Sequence, residues 1–347
     1  MSKSSFSTLL SIFLILSLPA LYGKASPPNI ILLYADDLGY TDLSCQGSDY
    51  YRTPNIDRLA REGMTFTNAY AAAANCAPSR ASLMTGLYTP RHGVFTVANS
   101  DRGKAANRRL IPTPNTTVLT RKLPTMAQVL KGAGYRTAIA GKWHLSDDPI
   151  PYGFDTNFGG LKWGAPKSYF SPYRNPKLKD GPKGEHLPAR LASDLCHWIR
   201  NAQKKNERFF VYFPFYSVHT PIQARADLTA RYTGKSGTHH RNAKYAAMIE
   251  AMDLAVGQIL DLLDELKLAS NTLVVFTSDN GPHGAVSNAR PLRGSKGMFY
   301  EGGIREPFLV RWPGRIKAAS QLETIIHQVD LLPTFASVSG AEAPEKL

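Results

Sequence analysis

The chain has 347 residues, 43% of them hydrophobic and 20% charged, and a formal charge of +14. That length and composition support a large buried core and exclude a disordered chain, while three cysteines are too few for a disulfide-built scaffold. The positive excess favours anionic partners. Nucleic acid is set aside, because the sequence has no zinc-finger spacing, basic heptads or aromatic RNA-binding signature.

The N-terminus reads as a secretory leader over residues 1–25: Lys3, a polar run, an apolar stretch from Leu9 to Leu21, then Gly23 and Ala25 before a cleavage point at Ser26. A membrane anchor is not expected, since the apolar stretch falls short of the ~20 residues a spanning helix needs and Pro19 interrupts it. Export to a periplasmic or extracellular space follows, and loss of Lys3 and Lys24 takes the charge from +14 to +12. Residues 26–347 then form one catalytic-sized α/β domain.

Asn29 to Tyr34 is a continuous apolar run and predicts a buried strand that delivers Asp36 and Asp37 into a loop. Thr53 to Glu62 opens on Thr-Pro, carries Ile56, Leu59 and Ala60 at helical spacing and stops at Gly63. A further strand precedes a helix that starts at Cys76, where Pro78 suits a first turn and the helix dipole favours an anionic sulfur.

Ser100 to Thr120 is polar and basic, with Pro112 and Pro114, and predicts a surface excursion bordering a cleft. Leu123 to Lys131 reads as a helix closed by Gly132 and Gly134, and Tyr135 to Ala140 as a strand leading into Gly141-Lys142-Trp143-His144. Lys142 and His144 alternate, so an extended backbone puts both on one side. Pro149 to Pro188, dense in Gly, Pro, Tyr and Lys, predicts a long irregular insert.

Phe209 to Phe213 predicts another buried strand, trailed by His219-Thr220-Pro221. Arg241 to Leu268 predicts a long helix whose apolar face carries Met248, Met252, Ala255, Ile259, Leu262, Leu263 and Leu266. Thr272 to Thr277 predicts a strand running into Ser278-Asp279-Asn280-Gly281. Helices alternating with fully apolar strands predict an α/β fold with a mostly parallel sheet covered on both faces, and polar clusters at its strand C-termini.

Asp36, Asp37, Asp279 and Asn280 offer only oxygen donors, the set preferred by calcium or magnesium rather than zinc. A lone thiol in an Ala-rich stretch is ordinarily a buried structural cysteine, an isolated histidine ordinarily structural, and a lysine in a Gly-rich loop ordinarily solvated. Cys45 and Cys196 are left either to pair or to remain free. His92, His283, Arg290 and Arg293 sit in loops near these motifs, with surface roles the better expectation, and Asn115-Thr116-Thr117 is a glycosylation sequon.

The flanking residues change the reading of Cys76. Cys76-Ala77-Pro78-Ser79-Arg80, continuing to Thr85-Gly86, resembles the sulfatase signature, and Gly134 to His144 resembles the family's second signature over its whole length. The resemblance runs from about Asn29 to Asp330. It implies an alkaline-phosphatase-like sandwich, oxidation of Cys76 to formylglycine by a formylglycine-generating enzyme, and a calcium (or magnesium) ion held by Asp36, Asp37, Asp279, Asn280 and position 76.

By the same resemblance, one hydroxyl of the hydrated aldehyde attacks sulfur and His219 or Lys296 protonates the leaving oxygen. His144 deprotonates the second hydroxyl to release sulfate, and Arg80 and Lys142 hold the charged groups. The implied substrate is a sulfated glycan or small aryl sulfate. Two rivals stand beside it: a phosphodiesterase or phosphonate monoester hydrolase using the same site, and a non-catalytic binder of sulfated glycans. Members usually continue past the Asp330 to Thr334 helix into a small antiparallel-sheet domain, which this chain is expected to lack.

Overall fold

The computed structural model describes residues 26–345, so the leader expected over residues 1–25 lies outside the described residues. In chain order the elements are β1 (Asn29–Ala35), α1 (Pro54–Glu62), β2 (Met64–Phe66), β3 (Ala69–Tyr70), α2 (Cys76–Thr85), α3 (Thr89–His92), α4 (Met126–Gly132), β4 (Arg136–Ala140) and β5 (Thr156–Phe158). They continue with α5 (Leu187–Lys204), β6 (Phe209–Pro214), α6 (Ala226–Ala230), α7 (Ala243–Glu265), β7 (Thr272–Ser278), α8 (Glu301–Ile304), β8 (Phe308–Arg311), β9 (Ser320–Leu322), β10 (Ile326–His327) and α9 (Leu331–Ser339).

Eight strands form one sheet in the order β5-β4-β6-β1-β7-β8-β2-β9. β5, β4, β6, β1 and β7 run parallel, and β8 alone opposes both its neighbours. Every residue of β1 is buried, which is why the run Ile30 to Tyr34 shows no alternation: one face feeds each core. Ile31 and Leu33 pack with α1, α5 and α7; Ile30, Leu32 and Tyr34 pack with α2, α4 and α9.

The expected α/β architecture is therefore present, and four neighbouring parallel strands, β4, β6, β1 and β7, discharge their C-terminal ends along one edge. Three expectations are corrected. The stretch from Pro149 is not wholly irregular, since β5 adds to the sheet edge through Ala138 to Ala140. An 18-residue helix, α5, fills residues expected to connect insert and strand, burying Leu187, Leu191, Leu195 and Ile199 at four-residue spacing. β8 supplies an antiparallel strand with no counterpart among the expected elements.

Gly141, at the end of β4, is fixed by two constraints. Its φ is +114°, and a Cβ there would lie 2.0 Å from the carbonyl oxygen of Pro214. Its neighbour Lys142 donates its backbone N–H to that same carbonyl at 2.8 Å, so neither strand can retreat without breaking the ladder that aims Lys142. Gly141→Ala is expected to cost about 3 kcal/mol or more, read as a fall in the urea midpoint. A loss below about 0.5 kcal/mol would show the backbone here to be pliant.

Candidate active site and metal centre

The strand edge gathers the chemistry. β1 delivers Asp36 and Asp37, β7 delivers Asp279 and Asn280, and all four are fully buried. β4 delivers Lys142 and His144, β6 leads to His219, and the loop after β7 brings Lys296. α2 starts at this edge, so Cys76 stands in its first turn and Arg80 one turn in.

Three cations interlock with three carboxylates. The Lys142 ammonium meets both oxygens of Asp36, at 2.8 and 2.7 Å. Arg80 grips Asp279 Oδ2 through Nε at 2.9 Å and Nη2 at 2.8 Å, and donates through Nη1 to the Lys142 carbonyl at 2.9 Å. Lys296 reaches Asp37 at 2.7 Å. The Asp37 N–H donates to Asp279 Oδ1 at 3.1 Å, and Asn280 Nδ2 donates to Asp37 Oδ1 at 2.8 Å, so the acidic loops of β1 and β7 are stitched together.

These partners set the proton affinities. Burial would raise Asp279, but Arg80, Lys142 and Lys296 bring its carboxyl down to about 2. Burial works against the charged form of Lys296, yet Asp37 more than offsets it and keeps the ammonium firmly protonated. Burial, then Lys142, lower His219 to about 4. His144 is pushed well below the usual histidine range by the same two causes in the same order. Its φ of +64° is left-handed, so Lys142 and His144 share the site without the extended backbone expected between them.

Cys76 corrects another expectation. It is only 2% exposed, and burial raises its thiol above the ordinary value despite the opposing pull of Lys142 and Lys296. The unmodified side chain is a neutral thiol rather than a stabilised thiolate. All three cysteines are unpaired; Cys45 is exposed and Cys196 half-buried, its thiol 3.7 Å from the Gln258 carbonyl.

The donor set suits a hard cation. One ligand atom each from Asp36, Cys76 and Asp279 lie within 4.8 Å of one another, as do atoms from Asp36, Asp37 and His219. Asn280 Oδ1 is buried with no hydrogen-bond partner, while its amide nitrogen is engaged by Asp37 and Gly281. An amide oxygen withheld from protein donors beside three carboxylates matches an oxygen-coordinated Ca²⁺ or Mg²⁺.

The remaining candidates lie elsewhere. His92 is buried, accepts the Val94 N–H at Nδ1 and donates through Nε2 to Ser82 Oγ, which makes it part of the packing around α2. His283 accepts the Ala285 N–H, Arg293 stacks on Tyr300 at 3.9 Å, and Arg290 faces solvent. Asn115 spends its side chain inside its own loop, accepting from Phe95 and Thr96 N–H and donating to the Thr96 and Ala98 carbonyls.

Supporting residues were not singled out from sequence. Gln328, ahead of α9, accepts from Tyr34 (2.7 Å) and Ser79 (2.9 Å) and donates to the Ser278 carbonyl, clamping the first turn of α2 to β7. Tyr245, in the first turn of α7, donates to Asp42 Oδ2 at 2.7 Å and lies 3.1 Å from the Asp37 carbonyl. Among the described residues the Glu306 carboxyl has no hydrogen-bond partner, and burial, then Asp279, Asp42 and Asp37, push it well above the usual carboxylate range. Asp42 was available as a signal, being a third acid only five residues beyond Asp37.

The strand ends of a mostly parallel α/β sheet thus gather an oxygen-donor nest, a cluster of Arg and Lys interlocked with it, and a cysteine in the first turn of a helix. The sulfatase family profile matches residues 28–341. A sulfatase of Formosa agariphila is 36% identical over 91% of this chain and 69% of its own length. N-acetylgalactosamine-6-sulfatase of Sus scrofa is 36% identical over 93% of this chain and 64% of its own.

Human arylsulfatase A is 34% identical over 95% of this chain and 68% of its own length. The crystal structure of Ps i-CgsB in complex with k-i-k-neocarrahexaose superposes with a TM-score of 0.80 at 32% identity, over 92% of this chain and 73% of that one. The chain belongs to the sulfatase family of the alkaline phosphatase superfamily. It spans about two thirds of the length of these curated relatives.

Proposed function

We propose that this protein hydrolyses sulfate monoesters of a sulfated glycan, with Cys76 converted to formylglycine by a maturation enzyme and a divalent cation, Ca²⁺ in the first instance, at the acidic nest. The observation that carries this reading is the meeting of Asp36, Asp279 and Cys76 within 4.8 Å beside the unpartnered Asn280 oxygen. The names of the relatives, and the k-i-k-neocarrahexaose bound to one of them, support a sulfated sugar as substrate.

Charge balance supports it as well. Three carboxylates and three cations nearly cancel, so a bound divalent ion leaves the site about +2, suited to a sulfate monoanion and one developing oxyanion. Asp36, Asp37, Asp279 and Asn280 would hold that ion, which would supply Lewis-acid polarisation, and an aldehyde hydrate at position 76 would supply the nucleophilic oxygen.

The chain's own groups orient and protonate. Arg80, locked to Asp279 and the Lys142 carbonyl, braces the start of α2 under position 76. Lys142, 2.8 and 2.7 Å from the two Asp36 oxygens, offers its field to the sulfate. His219 points Nε2 into the site because its Nδ1 is held 2.8 Å from the Thr220 carbonyl. Of His219 and Lys296, the Lys296 ammonium, held protonated by Asp37, is the ready donor to the leaving oxygen; the neutral His219 ring presents an unprotonated Nε2 and donates only after taking up a proton, and His144 Nδ1, buried and unpartnered, is free to take one. Among the described residues no helix is long and apolar enough to cross a membrane; export remains a proposal.

Protein expressed with a formylglycine-generating enzyme should show an aldehyde at position 76 by mass spectrometry and release sulfate from an aryl sulfate. A persistent thiol favours the binding-only rival, and preference for an aryl phosphodiester favours the diesterase. Calcium should raise Tm, because a ligand at 100 times its Kd adds about 2.7 kcal/mol. Asn280→Ala should weaken that calcium response by roughly tenfold or more in concentration. An unchanged titration would remove Asn280 from the metal site.

A further inference from the structure

A polar cleft of ≈ 480 Å³ opens between the residues leading into α7 and the loop after β7. Its lining includes His239, Arg241 and Arg290, all exposed, and contains no Asp or Glu. Among the described residues neither guanidinium has an ion-pair partner, so both are available to an anionic ligand.

The walls are fixed. Asn288 Nδ2 donates to the His239 carbonyl at 2.8 Å, and His240 Nε2 lies 3.1 Å from the Asn288 carbonyl. Ser287 donates to Asp42 at 2.9 Å, and Asp42 also receives Tyr245, which reaches the Asp37 carbonyl. On the other side, the backbone of the same loop carries Lys296, whose N–H donates to the Pro282 carbonyl at 3.0 Å. The cleft is thus tied to the acidic nest through Ser287, Asp42 and Tyr245 and through the loop that carries Lys296.

We propose that this cleft is a second anion-recognition subsite, in which Arg241 and Arg290 bind a sulfate or carboxylate substituent on another sugar of the glycan whose ester lies at Cys76. The inference rests on the sulfated-glycan reading above. Unpaired arginines on a pinned scaffold give planar, multi-donor recognition of such groups and select a densely charged strand over a small monoester.

The test is calorimetric binding of a polysulfated galactan hexasaccharide and of inorganic sulfate to the Cys76→Ala protein, with and without Arg241→Ser/Arg290→Ser. The hexasaccharide Kd should rise about tenfold in the double serine variant and largely recover in Arg241→Lys/Arg290→Lys, while inorganic sulfate changes by less than about threefold. Equal hexasaccharide binding with and without the arginines overturns the subsite. So does an inorganic sulfate loss as large as the hexasaccharide loss, which would mark a general anion hole. Arginine-dependent binding in a protein that, with Cys76 intact and matured, cleaves no sulfate ester leaves the cleft standing and removes the hydrolase reading instead.

Discussion

Cys76→Ala is expected to lower sulfate release by on the order of 10³-fold or more while leaving the protein folded. Alanine fills most of the buried space and deletes a single sulfur, so the packing cost should stay near about 1 kcal/mol. A structural cysteine predicts the reverse: a lower Tm and largely intact turnover. Cys76→Ser separates the readings again, because serine preserves size and polarity at the start of α2 yet lacks the thiol that maturation consumes. Release of sulfate from 4-nitrophenyl sulfate, read beside calorimetric Tm, decides the matter. Turnover by Cys76→Ala within tenfold of the parent would sink the proposed chemistry.

The acidic nest was legible because its two loops follow fully apolar runs. Ile30 to Tyr34 and Thr272 to Thr277 are buried on both faces, so their ends had to be strand ends, and Asp36 and Asp279 had to fall at the sheet edge. Position 76 and Lys142 were legible through the family signatures. What links them was not: Arg80 meets Asp279 across 199 residues of sequence, and Tyr245 reaches Asp37 across 208. Such pairings depend on the register of β1 against β7 and on how α7 docks, neither of which has a local signal.

The neutral thiol of Cys76 shows the same limit. A helix start argues for a lowered thiol pKa, but burial is a property of the whole fold, and here, with Asp36 and Asp279 adding to it, it outweighs two nearby lysines. The left-handed backbone at His144 is equally tertiary. Its ring lies against Gly164, where a Cβ would come within 2.9 Å of Cε1 and Nε2, and its backbone N–H donates to the Leu161 carbonyl at 2.8 Å, contacts with a later loop that carry no local signal. α5 is a different case, since its four-residue repeat of Leu187, Leu191, Leu195 and Ile199 is a local pattern masked by the Pro- and Gly-rich stretch before it.

Lys142→Met carries the largest expected cost in stability. Lys142 and Asp36 are both fully buried and meet through two contacts of 2.7 to 2.8 Å; without the ammonium, Asp36 keeps only a 3.6 Å approach from Arg80. Removing one partner of a buried pair costs about 3–5 kcal/mol, because the remaining carboxylate is left uncompensated. Two further results follow from that cause. Asp36→Asn combined with Lys142→Met should cost less than the sum of the single changes, since the stranded charge is gone. Calcium should restore more stability to Lys142→Met than to the parent, because the acidic nest then lacks its own counter-charge. Urea titrations of the four proteins, with and without calcium, give both comparisons. Strict additivity, or a Lys142→Met cost under about 1 kcal/mol, would mean that Asp36 is neutralised by some other route than its lysine.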